Sequence, residues 1–500
     1  MSDSTMATQT LAPADTVRRT RLLDPRPRRL VLVPLTLAVA SLLTQGFAQA
    51  VTPFIRQDDW TFLLPDRTRG VAPPSYYNIS EGRWLDTAWW FVIGQHGTPT
   101  TAALTYAVGY AVLVAGMWRV LHLSGVRPGP VVDVLLGIAL FASAVWVQLV
   151  YWPGALTPSI IVAATAIWVL PWAARSGARL RLWLLAVGVA AVLTYPPVGV
   201  VLLAFAIVFL GDVPWRRLLA VVGTWVAAFG LGVGVAYTLN WIVNQHFGLK
   251  VASWRQPNPL TSLDALLVNT GRWLDAAGSL WTTQWWVALV GLVAIALGWR
   301  DATVRPRLQR LLVAFGVACG LDAAQTLATG IVTEARGQLW TWLFAVLPVS
   351  LLLVERRPRV DAPSTRGSWV ERTATLLLAV LAVGGVLSWR ADIGQHQATR
   401  MQYAAIAEAA TARTMGMAPP TVVVYQDPRV RNTRDGRLMA STMFMAVRQE
   451  QGGILPRWCK GLECRELAAH PQSDSVVHLG TAASGHAIVG IIVPTPPGWL

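Results

Sequence analysis

Charge is what this chain has least of. Charged side chains make up 13% of its 500 residues against 54% hydrophobic ones, and mean hydropathy is +0.46. Soluble globular domains carry about 25% charged residues, so the composition excludes that class and points to a polytopic membrane protein. Lysine is nearly missing, with only Lys250 and Lys460 among 41 basic side chains. That bias, together with abundant Ala, Val and Gly, suggests a GC-rich bacterial genome. Cysteine is scarce as well: Cys319 lies in an apolar run, while Cys459 and Cys464 form a C-x4-C pair in "CKGLEC". Without further Cys or clustered His the pair is a poor metal site, and it reads as a local disulfide if its segment faces an oxidising compartment. His96, His246, His396, His478 and His486 are scattered without ligand spacing and are assigned no metal. The net charge of +15 lacks the basic stripe with interleaved aromatics that nucleic acid requires. Its arginines come in short clusters between apolar runs, and nucleic acid is set aside as a partner.

Apolar runs of spanning character lie at 31–53, 100–121, 131–151, 156–173, 180–195, 197–211, 217–241, 283–299, 309–330, 338–354 and 373–389. The sequence thus predicts a mainly α polytopic membrane protein of about 11 transmembrane helices. "LTYPPVG" divides two of the runs, and Pro196 and Pro197 leave open a single broken element there. Arginine bias favours two spans. With a cytoplasmic N-terminus, every Arg-dense loop falls on one side, from "RRTRLLDPRPRR" through "RDATVRPRLQR" to "ERRPRVDAPSTRGSWVER". Residues 1–29 then form a cytoplasmic Arg-rich tail and 30–390 the transmembrane domain, with outer loops at 54–99 and 242–282. The segment 391–500 changes character. "MQYAAIAEAATARTM" has helical period, "TVVVYQ" and "HAIVGIIVP" read as strands, and the segment is expected to be a small extracytoplasmic α/β domain with the C-terminus outside.

The outer face collects the acids that the spans exclude, so chemistry is sought there. "RQDDW" places Asp58, Asp59 and Trp60 just past the first apolar run. Sugar transfer from a lipid-linked phosphate needs a cation or metal to hold the departing phosphate and a carboxylate to take the acceptor hydroxyl's proton. Adjacent side chains diverge, so one aspartate serves as base and the other orients the acceptor or helps bind a cation. A divalent metal ion at Asp58 and Asp59 is therefore one option. "EGRWLDTAWWFV" reads as an amphipathic interface helix that would set Arg83 at a lipid phosphate, or leave it snorkelling. "GRWLD" recurs at Gly271–Asp275 without matching flanks, and nothing is built on it. In "TEARGQLW", Arg336 is a second phosphate ligand or the partner of Glu334. Asp322, inside a run with Gln325, must line a polar cavity or pair with an Arg. Trp60 and the Tyr151 and Trp152 of "YWPG" are best placed to stack on a sugar.

Taken together, the acid pair after the first span, the long first loop with its Gly-Arg segment, the many spans and the outer C-terminal domain resemble the C superfamily of glycosyltransferases (GT-C). They are also similar to the polyprenyl-phosphate-dependent glucosyltransferases that decorate surface polysaccharide. The resemblance covers the whole chain as architecture and about ten residues as motif. It implies a bacterial plasma-membrane enzyme with a polyprenyl-phosphate sugar donor and a cell-envelope glycan or glycolipid acceptor. Asp58 would be the base, Asp59 its partner, and transfer would proceed with inversion, since no second carboxylate stands as a nucleophile. Two other readings compete: a transporter or flippase for lipid-linked precursors, and a non-catalytic subunit of an envelope complex.

Overall fold

The computed structural model describes residues 27–51, 59, 78–79, 81–93, 98–126, 129–143, 145–251, 255–354, 365–412, 421–450, 456–471, 475–481 and 487–494. Helix α1 (Pro27–Ser41) continues through a π-helical turn (Leu42–Phe47) to Ala48–Val51. There follow α2 (Trp84–Ile93), α3 (Pro99–Leu123), α4 (Pro130–Phe141), a 3-10 turn (Trp146–Tyr151), α5 (Pro153–Ala173), α6 (Gly177–Val192), α7 (Pro196–Leu210) and α8 (Trp215–Asn244). The bundle is completed by α9 (Leu263–Thr283), α10 (Trp285–Arg300), α11 (Arg305–Thr329), α12 (Trp340–Leu352) and α13 (Thr365–Ala412).

Local chemistry sets many of these boundaries. Thr98 and Thr101 cap α3 reciprocally, while Ser176 and Ser262 cap α6 and α9 through their hydroxyls. The amides of Val145 and Trp146 donate to the Ser143 hydroxyl, a turn that separates α4 from the 3-10 segment.

All eleven apolar runs contain helix, but length separates them. Among the described residues, six helices are long and apolar enough to cross a membrane, or up to seven if the α9–α10 pair, bent by 85°, is one span. The expected count of about eleven is not reached. Helices α4, α6, α7, α10 and α12 have only 12, 16, 15, 16 and 13 residues, whereas a bilayer asks for about 20. The region 242–282 also departs from the loop expected there, because α9 fills its second half.

The helix ends meet at two poles. At one pole Arg310 donates to the Val213 carbonyl (3.0 Å) and pairs with Asp212 (2.8 Å), and Arg307 donates to the Ser124 carbonyl (3.1 Å). At the other, the Leu85 amide donates to the Leu193 carbonyl (3.0 Å), and the Trp84 indole to Asn240 Oδ1 (3.0 Å). Between the poles lies one continuous apolar core that includes Trp118, Phe205 and Trp342.

Helix α13 passes through this core and beyond it. Ala374, Leu378, Leu381, Ala382 and Trp389 pack in the bundle, while Tyr403, Ile406, Ala407 and Ala410 pack in a second core. A side chain at Gly385 would sit 2.1 Å from the Ala142 carbonyl, so only glycine lets α13 lie this close to the end of α4. The second core belongs to a four-stranded sheet of order β2-β1-β4-β3, formed by β1 (Thr421–Tyr425), β2 (Arg457–Trp458), β3 (Val476–Thr481) and β4 (Ala487–Ile492). Strand β1 runs parallel to β2 and β4, while β3 is antiparallel to β4. Helices α14 (Arg434–Glu450) and α15 (Leu462–Ala469) complete a small α/β unit, in which Cys459 and Cys464 are disulfide-bonded. The helix runs unbroken across position 391, so the domain boundary expected there falls inside one helix.

Candidate active site at the loop-bearing pole

Helix α5 begins at Pro153, which has no N–H to leave unsatisfied, so Gly154 and Ala155 carry its first orphan donors. The preceding residue, Trp152, provides no side-chain cap. Asp59 does so from far upstream in the chain. Its Oδ2 accepts from the Gly154 amide at 2.6 Å and its Oδ1 from the Ala155 amide. The carboxylate is fully buried, and the helix dipole favours its charge. Both Asp59 oxygens thus accept hydrogen bonds from backbone amides, and the carboxylate anchors its residue to the start of α5. Its neighbours Asp58 and Trp60 lie outside the described residues.

The fit leaves no room at position 154, where a Cβ would meet Asp59 Oδ2 at 2.8 Å and Oδ1 at 3.0 Å. Gly154→Ala should push the carboxylate off the helix and lower stability by about 1–3 kcal/mol, in the range of overpacking. Thermal unfolding in detergent measures this. An unchanged melting curve would mean that the Asp59 segment can retreat freely.

The strap from Val150 to Ala155 carries more than this clamp. Gln49, at the end of the first helix, donates to the Val150 carbonyl at 2.8 Å. Arg336 lies over the Trp152 ring at 3.8 Å and pairs with Glu334 at 2.9 Å. Both readings of Arg336 remain chemically open, since the fork has five donors and Glu334 engages one terminal nitrogen. The expected sugar-stacking role of Trp152 is narrowed, because one ring face already carries a guanidinium. Tyr151 is corrected outright. It is completely buried, its ring lies 4.1 Å from that of His396, and its hydroxyl donates to Asp392, so no face is left for a sugar.

Arg83 and Arg336 come together around Tyr195. Arg83 sits 5.8 Å from the centre of the Tyr195 ring, and the Tyr195 hydroxyl donates to the Arg336 carbonyl at 3.3 Å. Glu81 pairs with Arg83 at 2.7 Å and also with Arg255. Three cations and the carboxylates Glu81 and Glu334 thus surround the turn between α6 and α7.

Helix α2 is turned inside out relative to a soluble helix. Phe91 and Val92 are exposed, whereas Asp86, Thr87 and Trp90 are buried. Asp86 is fully buried and, among the described residues, neither carboxylate oxygen has a hydrogen-bond partner; the same holds for both amide atoms of the fully buried Asn78. Burial pushes the Asp86 carboxyl well above its ordinary value, Arg83 opposes that shift and Glu81 adds to it.

Asp322 lies elsewhere. Its Oδ2 accepts from the Trp273 indole of α9 at 3.0 Å. Among the described residues no group of three His, Cys, Asp or Glu could hold a metal ion. Sequence reading missed Tyr195, Asp392 and His396. The last two are spaced i, i+4 just past an apolar run, a pattern that puts both on one helix face. Compared with protein-family models, curated proteins and solved structures, the chain matches none.

Proposed function

We propose that the chain is a GT-C-type membrane glycosyltransferase that moves a sugar from a polyprenyl-phosphate donor to a cell-envelope glycan or glycolipid. The observation that carries the reading is the gathering of Arg83 and Arg336 around Tyr195, with Arg336 resting on the strap that anchors Asp59. A phosphate leaving group needs preorganised cations at a membrane-proximal surface, and arginine forks match its oxygens. Asp59 fixes the segment on which Asp58 stands. Asp58 then takes the proton of the acceptor hydroxyl as that oxygen bonds to the anomeric carbon. The bond from that carbon to the phosphate oxygen breaks, the electron pair leaves on the phosphate, and the configuration inverts. In this reading the Arg-dense pole faces the cytoplasm of a bacterial cell, with the N-terminus in and the C-terminus out.

Membranes holding the full chain, assayed with labelled polyprenyl-phosphate sugars, test it. Arg83→Ala and Arg336→Ala should each raise the donor KM about tenfold or more, as expected for losing a hydrogen bond to a charged group. Absence of transfer by the unmodified protein from every such hexose and pentose donor would overturn the reading. Labelled lipid crossing the bilayer without sugar transfer would favour the flippase reading instead.

A further inference from the structure

Helix α13 touches three bodies in succession: the bundle core up to Trp389, the strap through Asp392 and His396, and the α/β core from Tyr403 onward. The middle station is chemically specific. Asp392 and His396 lie one turn apart, which puts them on the same face of the helix. Asp392 accepts from the buried Tyr151 hydroxyl, and the His396 ring lies against the Tyr151 ring at 4.1 Å with the planes 31° apart. Tyr151 precedes Trp152, the platform of Arg336, and is three residues from Gly154, which binds Asp59. A displacement of Tyr151 therefore moves both within a few bonds.

We propose that Asp392 and His396 are positioning residues that latch the strap, so that α13 couples the seating of the α/β domain to the geometry of the Arg336 platform and the Asp59 anchor. The latch deepens the transferase reading and rests on it for its catalytic consequence. Its structural half stands on the contacts alone. The aromatic contact opposes rotation of the ring about its long axis, and the carboxylate, accepting from the hydroxyl that lies on that axis, fixes where the far end of the ring points. Neither group reaches the reacting atoms, so the effect passes through Trp152 and Gly154.

The test uses the full chain in detergent and three variants. Tyr151→Phe keeps the ring and deletes the hydroxyl; Asp392→Ala deletes the acceptor; Asp392→Asn keeps an acceptor oxygen. Hydrogen exchange at the Gly154 and Ala155 amides should speed up about tenfold or more in the first two. The double variant should add little to either single one, and Asp392→Asn should restore most of the protection. In the transfer assay, Tyr151→Phe and Asp392→Ala should raise the donor KM, whereas mere loss of folded protein would lower the apparent kcat and leave KM unchanged. Unaltered exchange at these amides, or exchange raised equally at the N-termini of α3 and α7, would overturn the latch. If the unmodified protein transfers no sugar, the transferase reading fails while the exchange measurement still decides the latch.

Discussion

On the proposed transferase reading, Asp58→Asn should lower sugar transfer about a hundredfold and leave the melting temperature where it was, while Asp59→Asn should lower the melting temperature first and activity as a consequence. This split is the expected result for two adjacent acids with different tasks. Asn is nearly isosteric with Asp but cannot accept a proton, so at Asp58 it removes general-base catalysis, worth about 10²–10⁴ in rate. At Asp59 the same change removes a buried charge that accepts from two helix N-terminal amides. The Asn carbamoyl oxygen can serve one amide, but its NH2 then faces the other donor. Hydrogen bonds to charged groups contribute about 1.5–3 kcal/mol each, so a loss of about 3 kcal/mol is expected from the pair. Thermal unfolding and initial rates on the same preparations decide it. Were Asp59→Asn to melt like the unmodified protein, the clamp would contribute nothing; were both variants to transfer sugar at the unmodified rate, neither acid would serve catalysis.

Asp86→Asn should stabilise the protein at neutral pH. The Asp86 carboxyl is buried without a hydrogen-bond partner among the described residues, and its folded-state value stands well above the ordinary 3.8. For an acid shifted in that direction the folded state binds the proton more tightly than the unfolded one. Stability therefore falls as pH rises from the ordinary aspartate range through the folded-state value. Asn resembles the protonated acid and does not titrate. The variant should thus gain about 1–3 kcal/mol above that window, the range for an unsatisfied buried group. The gain should shrink as pH falls toward about 4 and vanish below it, where the unfolded state becomes protonated at this position as the folded state already is. Melting curves of the two proteins between pH 4 and about 8 give the comparison. A gain that is constant with pH would show that the carboxyl is not the titrating group.

Much of the helical framework can be read from the sequence because apolar runs and arginine spacing are local patterns. The cores of the long helices, the strands in "TVVVYQ" and "HAIVGIIVP", and the Cys459–Cys464 pair all follow from short windows. The number of full-length spans does not follow, since hydropathy cannot see that Ser143 turns the chain after α4 or that α9 meets α10 at 85°. The site was half legible for a similar reason. Arg83, Arg336 and Asp59 stand out as charges beside apolar runs, but their grouping depends on Tyr195, whose "YPP" context signals only a helix boundary. The inward turn of Asp86 was hidden because a helix at a lipid surface exposes Phe91 and Val92 and buries its polar face, against the habit of soluble helices.

The unbroken helix between Trp389 and Tyr403 also acts as a setting of rotational phase. Fourteen residues at 1.5 Å each hold the sheet domain about 21 Å from the bundle core and, at 100° per residue, fix the direction it faces. One inserted residue there would swing the whole domain by about 100° while lifting it only about 1.5 Å, with Tyr403 and Ile406 turning along with the strands they pack against. Seven inserted residues nearly complete two turns, with a drift of about 20°, and would raise the domain by about 10 Å in almost its original orientation. Length changes in this stretch are therefore expected to be tolerated in steps of about seven residues, with two-residue insertions, which leave the domain about 160° from its original direction, the most damaging.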